Sequence, residues 1–344
     1  MTASSRPRID WVDAGRGLAI LLVALFHATN WLDAAGLQVQ FWTDLNLVIS
    51  AIRLPMFFTL SGLFAGKWIQ SSWHQLWSVK LSLFVWVYTL WSVIATFTFM
   101  IGMHLQGAQG NYLTQFRRTV QLLWAPRFEL WFVWALALMF VLLRLLRRVP
   151  PLAQLALTGV VSVLALSFEF DWNTGWEGLA KYFFFFLLGT YARQGYFRWA
   201  EDSRAWLGWL TVLGAGGLAT AGRLFGWSLT VPGYYFAVCC AGALAGIRLS
   251  VWLARLRFLA GIGRQTLPIY LTHTSLIIAV CWFVAQLPTG VKASPLWLAL
   301  PPLLVAAVVP LCLAISRKVS ERPIARYLYH QPEWFAARRP AVKS

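Results

Sequence analysis

Two ionisable side chains share one face of the first apolar stretch of this sequence. Arg16 and His27 lie eleven positions apart, and eleven helical steps of about 100° return to within roughly 20° of the same direction, about 16 Å further along the axis. Guanidinium pairs with phosphate in bidentate fashion, and imidazole changes its charge near neutral pH. This face could therefore hold an anion at one end and move a proton at the other. A snorkelling arginine and a histidine that packs between helices are the alternative.

A second apolar stretch contains the residue whose burial is most costly. Arg53 lies in its middle third, two residues before Pro55. We expect Arg53 to face the interior of a helix bundle and to pair with a carboxylate or a bound donor molecule. Ser61 and Gly62 follow in the same stretch, where they could permit a donor to approach the backbone closely. Small-residue packing between helices is the other reading of this pair.

Two carboxylates are placed where they could orient these groups. Asp13 precedes Arg16 by three residues and could hold the guanidinium, or it could favour the start of a helix as a first-turn acid. Glu129 opens the fourth apolar stretch on the side that His27 approaches. It could fix the tautomer of that imidazole, or it could be an interfacial charge at a helix start.

Tyr270 and His273 lie on neighbouring faces of the ninth apolar stretch. We expect structural hydrogen bonds from both, since a polar group inside a bundle needs a partner. No two histidines have the spacing of metal ligands, so the sequence predicts no metal site.

The composition defines the solvent in which these residues must be positioned. With 59% hydrophobic and 12% charged residues and a mean hydropathy of +0.62, the chain has more apolar surface than one soluble core can bury. A lipid bilayer is therefore its expected environment. The net charge of +17 would suggest nucleic acid in a soluble protein, but the cations lie between apolar runs. No nucleic-acid partner is predicted.

The apolar runs predict an all-α polytopic membrane protein with about ten transmembrane helices in one bundle, since a span needs roughly 20 residues. The predicted spans are 15–33, 45–66, 79–103, 129–146, 152–170, 178–194, 204–225, 230–248, 266–288 and 296–316.

The cations predict the orientation of these spans. Of the 29 Lys and Arg residues, 22 lie on the two tails and on the loops that join an even-numbered span to the next, odd-numbered span. This bias indicates that both termini are cytoplasmic. Residues 1–14 are then an N-terminal tail, 15–318 the membrane domain and 319–344 a basic, surface-associated tail. We expect a multi-pass protein of a bacterial cytoplasmic (inner) membrane. The long connection 104–128 on the outer side is a candidate acceptor surface or a plain interfacial loop, and its residues of interest are Tyr112, Arg117, Arg118 and Trp124.

Four stretches resemble, in order, the motifs of the membrane-bound acyltransferase-3 family. The first helix of that family carries an Arg or Lys and a His with ten residues between them, as Arg16 and His27 are placed here. The other three resemble its Phe-Phe-x-x-Ser-Gly segment, its Leu-Trp-Phe entry to the fourth helix and its late Tyr-x-x-His span. The four stretches are Val12 to His27, Pro55 to Gly62, Glu129 to Phe132 with Trp131 at its centre, and Leu267 to His273.

The resemblance covers residues 9–318 and implies an O-acyltransferase. Such an enzyme moves an acyl group, most often acetyl, from a cytoplasmic acyl-coenzyme A to a hydroxyl of a carbohydrate or lipid-linked glycan. The acyl-coenzyme A is a co-substrate, and no permanently bound cofactor is expected. The segment Val79 to Leu83 has one Lys, Lys80, where many relatives are richer in Arg and Pro, which weakens a donor site there.

The chemistry of the residues is compatible with that reaction. His27 could take the proton of the acceptor hydroxyl, with Glu129 beside it, or it could form an acyl-imidazole. Arg16, Arg53 and Ser61 are the predicted donor contacts, and Asp13, Trp131, Tyr270 and His273 the predicted supporting residues. A non-catalytic transporter of a glycan or small molecule is the alternative, because it too would bury polar residues among many spans. The sequence leaves the acceptor and the oligomeric state open.

Overall fold

The structure is a computed structural model, and it describes residues 9–37, 40–105, 120–126, 128–202, 204–288 and 295–336. This part of the chain contains ten α-helices of 15 residues or more and no β-strand, so the all-α class is confirmed. The ten helices are α1 (Asp10–Ala34), α2 (Gln40–Gly62), α3 (Ser82–Leu105), α4 (Trp131–Leu145), α5 (Pro151–Ser167), α6 (Thr174–Tyr191), α7 (Ala205–Leu224), α8 (Tyr234–Leu253), α9 (Thr266–Ala285) and α10 (Leu300–Ser320).

Each predicted span overlaps one of these helices, with ends that differ by a few residues. Six stretches of the described chain are long and apolar enough to cross a membrane. They are Asp10–Ala34, Gln40–Gly62, Trp73–Met100, Tyr234–Leu253, Thr266–Ala285 and Trp297–Ser320. The helices α4 to α7 are not among them, and α4 has only 15 residues. The protein is therefore a helical membrane protein, while the count of ten spans stays a prediction.

The position of α1 is fixed by close backbone contacts. It packs against α2, α8, α9, α10 and the short helix Arg257–Gly263. A methyl group added at Gly17 would lie 2.2 Å from the carbonyl oxygen of Leu259, and one at Gly263 would lie 1.7 Å from that of Asp13. Only glycine permits this approach. The helix that carries Arg16 and His27 is thus held against its neighbour at both positions.

A second close contact sets the rotation of α2 against α6. A methyl group at Gly62 would lie 2.0 Å from the carbonyl oxygen of Phe186, and one at Gly189 would lie 2.2 Å from that of Thr59. Gly62 is therefore a helix-packing residue, which is one of the two readings of the Ser61 and Gly62 pair.

The entry to α3 is irregular. A π-helical turn, Trp77–Leu81, precedes Ser82, so the α-helix begins three residues after the predicted start of the span at residue 79. Ser72 caps the short helix before this turn, since its hydroxyl accepts from the backbone N–H of Gln75. Such turns are frequently found at functional sites, and this one carries Lys80.

The segment after α10 packs along α3. Three indole N–H groups donate to its backbone carbonyls, at distances of 3.2, 2.7 and 2.7 Å. The donor and acceptor pairs are Trp77 with Phe335, Trp86 with Tyr327, and Trp91 with Leu328. Residues 321–336 of the basic tail are thus held against the bundle, whereas residues 337–344 lie outside the described residues.

Candidate active site

Glu129 lies in a tight turn just before α4. Phe128 has a φ of 58°, which is sterically costly for an aromatic residue and turns the chain sharply. The hydroxyl of Tyr270 donates to the backbone carbonyl of Glu129. Since α4 begins at Trp131, the prediction that Glu129 opens the helix is off by two residues. The turn brings its carboxylate into the bundle.

His27 and Glu129 form a carboxylate–imidazole pair. His27 Nδ1 lies 3.5 Å from Glu129 Oε1, and both side chains are largely buried. The indole of Trp31, one helical turn after His27, lies near the same carboxylate. The pair distance exceeds that of a normal hydrogen bond. A carboxylate at Nδ1 favours the proton there, which leaves Nε2 as the basic nitrogen.

His273 is fully buried beside His27, with 5.3 Å between their ring centroids. Its Nδ1 lies 2.9 Å from the carbonyl oxygens of Ile269 and Tyr270. Carbonyls only accept hydrogen bonds, so this nitrogen carries the proton. Nε2 faces the Thr274 hydroxyl at 3.3 Å. Both nitrogens therefore have partners, and His273 acts as a neighbour to His27 that is fixed in one tautomer.

A small cavity, here called the chamber, contains His27. It has a volume of about 250 Å³, and its polar lining groups include Arg53, Glu129 and Tyr270. Trp131 also lines it, stacked on Tyr182 with 6.4 Å between ring centroids. Aromatic and aliphatic side chains form the rest of its wall. Such a lining lowers the local dielectric, which strengthens each polar interaction inside.

A larger cavity, here called the vestibule, lies around Arg16. Its volume is about 570 Å³. Four cationic side chains line it, and Asp13 and Ser61 are among the other lining residues. The four cations are Arg16, Lys67, Lys80 and Arg264. This concentration of positive charge suits an anionic ligand that carries phosphate groups.

Asp13 connects two of these cations. It accepts a hydrogen bond from Nε of Arg264 at 3.2 Å and lies 4.0 Å from Nη1 of Arg16. The Arg16 side chain keeps 31% of its surface exposed. Its guanidinium also lies 5.6 Å from the ring centroid of Phe64. Asp13 thus holds the cluster together while leaving Arg16 accessible to a ligand.

The two cavities meet at one aromatic residue. Phe57 lines both the vestibule and the chamber. Its ring packs edge-on against Phe132, with 4.8 Å between centroids. Of the described residues that line either cavity, Phe57 alone is shared by both.

The predicted residues divide between these cavities. Arg16, Asp13 and Ser61 line the vestibule, whereas Arg53 lines the chamber with His27 and Glu129. The structure thus separates Arg53 from the other predicted donor contacts. In the candidate loop, Tyr112, Arg117 and Arg118 lie outside the described residues. Trp124 is exposed, and its carbonyl accepts from the indole of Trp176 at 2.6 Å.

Sequence reasoning missed four lining or supporting residues. In the sequence, Lys67, Lys80 and Arg264 indicate only topology, and the segment around Lys80 weakens the prediction of a donor site there. The structure shows that all three side chains line the vestibule. The π-helical turn that carries Lys80 gives no periodic signal. Trp31 could have been found from its spacing, because it lies one turn after His27 on the same face.

A comparison with protein families decides the class of this fold and site. A family model described as an acyltransferase domain, of the acyltransferase-3 type, matches residues 9–317. The chain belongs to the acyltransferase-3 family. The match includes all ten long helices except the last residues of α10. No curated protein and no solved structure matches the chain.

Both cavities of this acyltransferase-3 protein lie within the matched domain. The vestibule and the chamber are lined by residues between Ile9 and Tyr270, all inside the match. Both cavities are therefore part of a membrane acyltransferase domain.

Proposed function

We propose that this protein transfers an acyl group, acetyl in the simplest case, from a cytoplasmic acyl-coenzyme A to a hydroxyl of a carbohydrate or lipid-linked glycan at the cell envelope. One observation carries the proposal. Arg16 and His27 on one helix open into two cavities that meet at Phe57. A donor with a charged end and a reactive end fits such an arrangement.

The vestibule supports the binding of the donor. Acyl-coenzyme A carries several phosphates, and the four cations supply a matching charge. Arg16 offers a planar fork for bidentate pairing with one phosphate. Ser61, one turn after Phe57, lines the path toward the chamber. The positive bias of the loops supports a cytoplasmic position for this cavity and for both termini.

The chamber supports the chemistry. The hydroxyl oxygen of the acceptor attacks the thioester carbon while Nε2 of His27 takes the hydroxyl proton. Glu129 stabilises the imidazolium that results. Collapse of the tetrahedral intermediate breaks the carbon–sulfur bond, and the imidazolium protonates the leaving thiolate. The products are an ester and free coenzyme A, and His27 is neutral again. The acceptor approaches from the side opposite the vestibule.

The alternative of a non-catalytic transporter has less support. Membership of an acyltransferase family favours thioester chemistry. The imidazole–carboxylate pair in a small cavity of about 250 Å³ likewise suits proton transfer better than passage of a solute.

Coenzyme A release by the purified protein tests the proposal. The protein in detergent is mixed with acetyl-coenzyme A and a glycan fraction from bacterial envelopes. Free thiol is followed with time, and mass spectrometry identifies glycans that gain an acetyl group. We expect thiol release that requires both substrates. His74→Gln, at an exposed histidine outside both cavities, is the matched control for His27→Gln. Absence of release by the wild type with every fraction would refute the acyltransferase assignment.

A further inference from the structure

Arg53 is buried in the chamber without a hydrogen-bond partner among the described residues. It is 6% exposed, and its Nη1 is one of the buried polar atoms that lack a partner. The other two buried arginines, Arg144 and Arg248, also have nitrogens without a partner. They differ from Arg53 because each donates a hydrogen bond, Arg144 to the carbonyl of Ile69 and Arg248 to that of Asp202, at 2.9 and 2.7 Å. An unpaired guanidinium in an apolar cavity is costly.

The contacts around Arg53 compensate for this cost only in part. Its guanidinium lies 4.2 Å from the ring centroid of Phe26, a cation–π contact. Glu129 lines the same cavity but pairs with His27. Within the described ranges, no carboxylate lies within ion-pair distance of Arg53. Nη1 of Arg53 is therefore a buried donor for which the described residues supply no acceptor oxygen.

The position of Arg53 indicates which ligand oxygen would accept a hydrogen bond from it. On α2 it precedes Phe57 by one turn, so the two side chains share a face, and both line the chamber. Phe26, the residue under the guanidinium, is adjacent to His27 on α1. An acyl group that passes Phe57 from the vestibule would thus arrive between Arg53 and His27.

We propose that Arg53 stabilises the oxyanion of the acyl-transfer step. This inference rests on the proposed function. When the acceptor oxygen bonds to the thioester carbon, the π electrons of the carbonyl move to its oxygen, and His27 takes the hydroxyl proton. Nη1 of Arg53 donates to this negative oxygen. When the carbon–sulfur bond breaks, the electron pair on the oxygen re-forms the carbonyl, the negative charge leaves on the thiolate sulfur, and the His27 imidazolium protonates that thiolate. Preorganised donors in a dry cavity favour such a charge strongly.

A carboxylate on the acceptor is the competing occupant. Arg53 would then select acidic glycans instead of stabilising the reacting atoms. The oxyanion role and the carboxylate-binding role differ in what they predict for neutral acceptors. Only the oxyanion role requires Arg53 for every acceptor.

The test compares Arg53→Met and Arg53→Lys with the wild type on envelope glycans separated into neutral and acidic fractions by anion exchange. Acetyl-coenzyme A is the donor, and turnover is expressed per folded molecule. We expect Arg53→Met to lose roughly 100- to 1,000-fold in kcat on both fractions, with unchanged donor binding. Arg53→Lys, which keeps the charge but not the fork, should recover part of the loss.

Arg248→Met is the matched control. It removes another buried arginine, whose guanidinium lies 4.4 Å from the ring centroid of Trp199, away from both cavities. Its kcat should match the wild type. Wild-type kcat in both Arg53 variants would overturn the inference while leaving the acyltransferase assignment in place. A loss confined to acidic glycans would assign Arg53 to the acceptor instead. No thiol release by the wild type would refute the proposed function, and the inference with it.

Discussion

The vestibule and the chamber differ in charge, access and volume. The vestibule, about 570 Å³, carries four cations, of which Arg16 and Arg264 keep 31% and 41% of their side chains exposed. The chamber, about 250 Å³, holds His27 and Glu129 at 16% and 12%. Each exposed charge contributes little on its own to the binding of an anionic ligand, and neighbouring charges can replace it. Each largely buried polar group in the chamber contributes more, because the surrounding dielectric is lower.

Under the proposed function, this contrast implies that donor binding and chemistry are separated along one helix. Substitutions in the chamber should reduce turnover strongly and leave donor binding intact. Substitutions in the vestibule should weaken donor binding moderately and leave turnover at saturating donor nearly unchanged.

The largest effect is expected at His27. If its imidazole takes the acceptor proton, His27→Ala should lose roughly 100- to 10,000-fold in turnover, while donor binding survives. His27→Gln cannot cycle a proton near neutral pH and should be nearly as inactive. A histidine with only a packing role would tolerate Gln. Retention of more than about a tenth of wild-type turnover in His27→Gln, per folded molecule, would show that the residue is not the base.

A smaller loss is expected at Glu129. Glu129→Gln keeps the shape of the side chain but removes the charge that stabilises the imidazolium. A hydrogen bond to a charged group is worth about 1.5–3 kcal/mol, which corresponds to roughly 10- to 100-fold in rate. The measurement is kcat beside that of Glu177→Gln, whose carboxylate pairs with Lys181 outside both cavities. Equal kcat in the two variants would remove Glu129 from the mechanism.

The smallest effect is expected at Arg16, and it should appear in affinity. Arg16→Ala should weaken binding of acetyl-coenzyme A by roughly tenfold, because a charge-assisted contact is lost at a partly exposed site. Arg16→Lys should lose less, since it keeps the charge without the fork. Titration calorimetry on both variants, with exposed Arg198→Ala as the control, measures this. Unchanged affinity in Arg16→Ala would contradict the role of Arg16 in donor binding, and with it the difference between the two cavities.

The sequence predicted the helices well because each one requires a long apolar run, whatever its neighbours are. It also predicted the common face of Arg16 and His27, which depends only on helical periodicity. The turn at Phe128 could not be predicted, because it depends on contacts with α3 and α9. The side of the bundle that Arg53 faces is set by the glycine contacts between α2 and α6. The sequence offers Gly62 as a possible packing residue but does not show which helix it contacts, so it groups Arg53 with the donor contacts.

The direction from which the donor enters tests the separation of the two cavities most directly. The protein is inserted into lipid vesicles, which are sorted by protease access to the C-terminal tail. That tail marks the vestibule side, because Phe335 contacts Trp77 in the same π-helical turn as Lys80. Acetyl-coenzyme A is too highly charged to cross the bilayer, so it can be supplied on one side at a time, with envelope glycans on both. We predict thiol release only when the donor is on the side of the tail. Release from the opposite side, or equal release from both, would contradict the assignment of the vestibule to the donor.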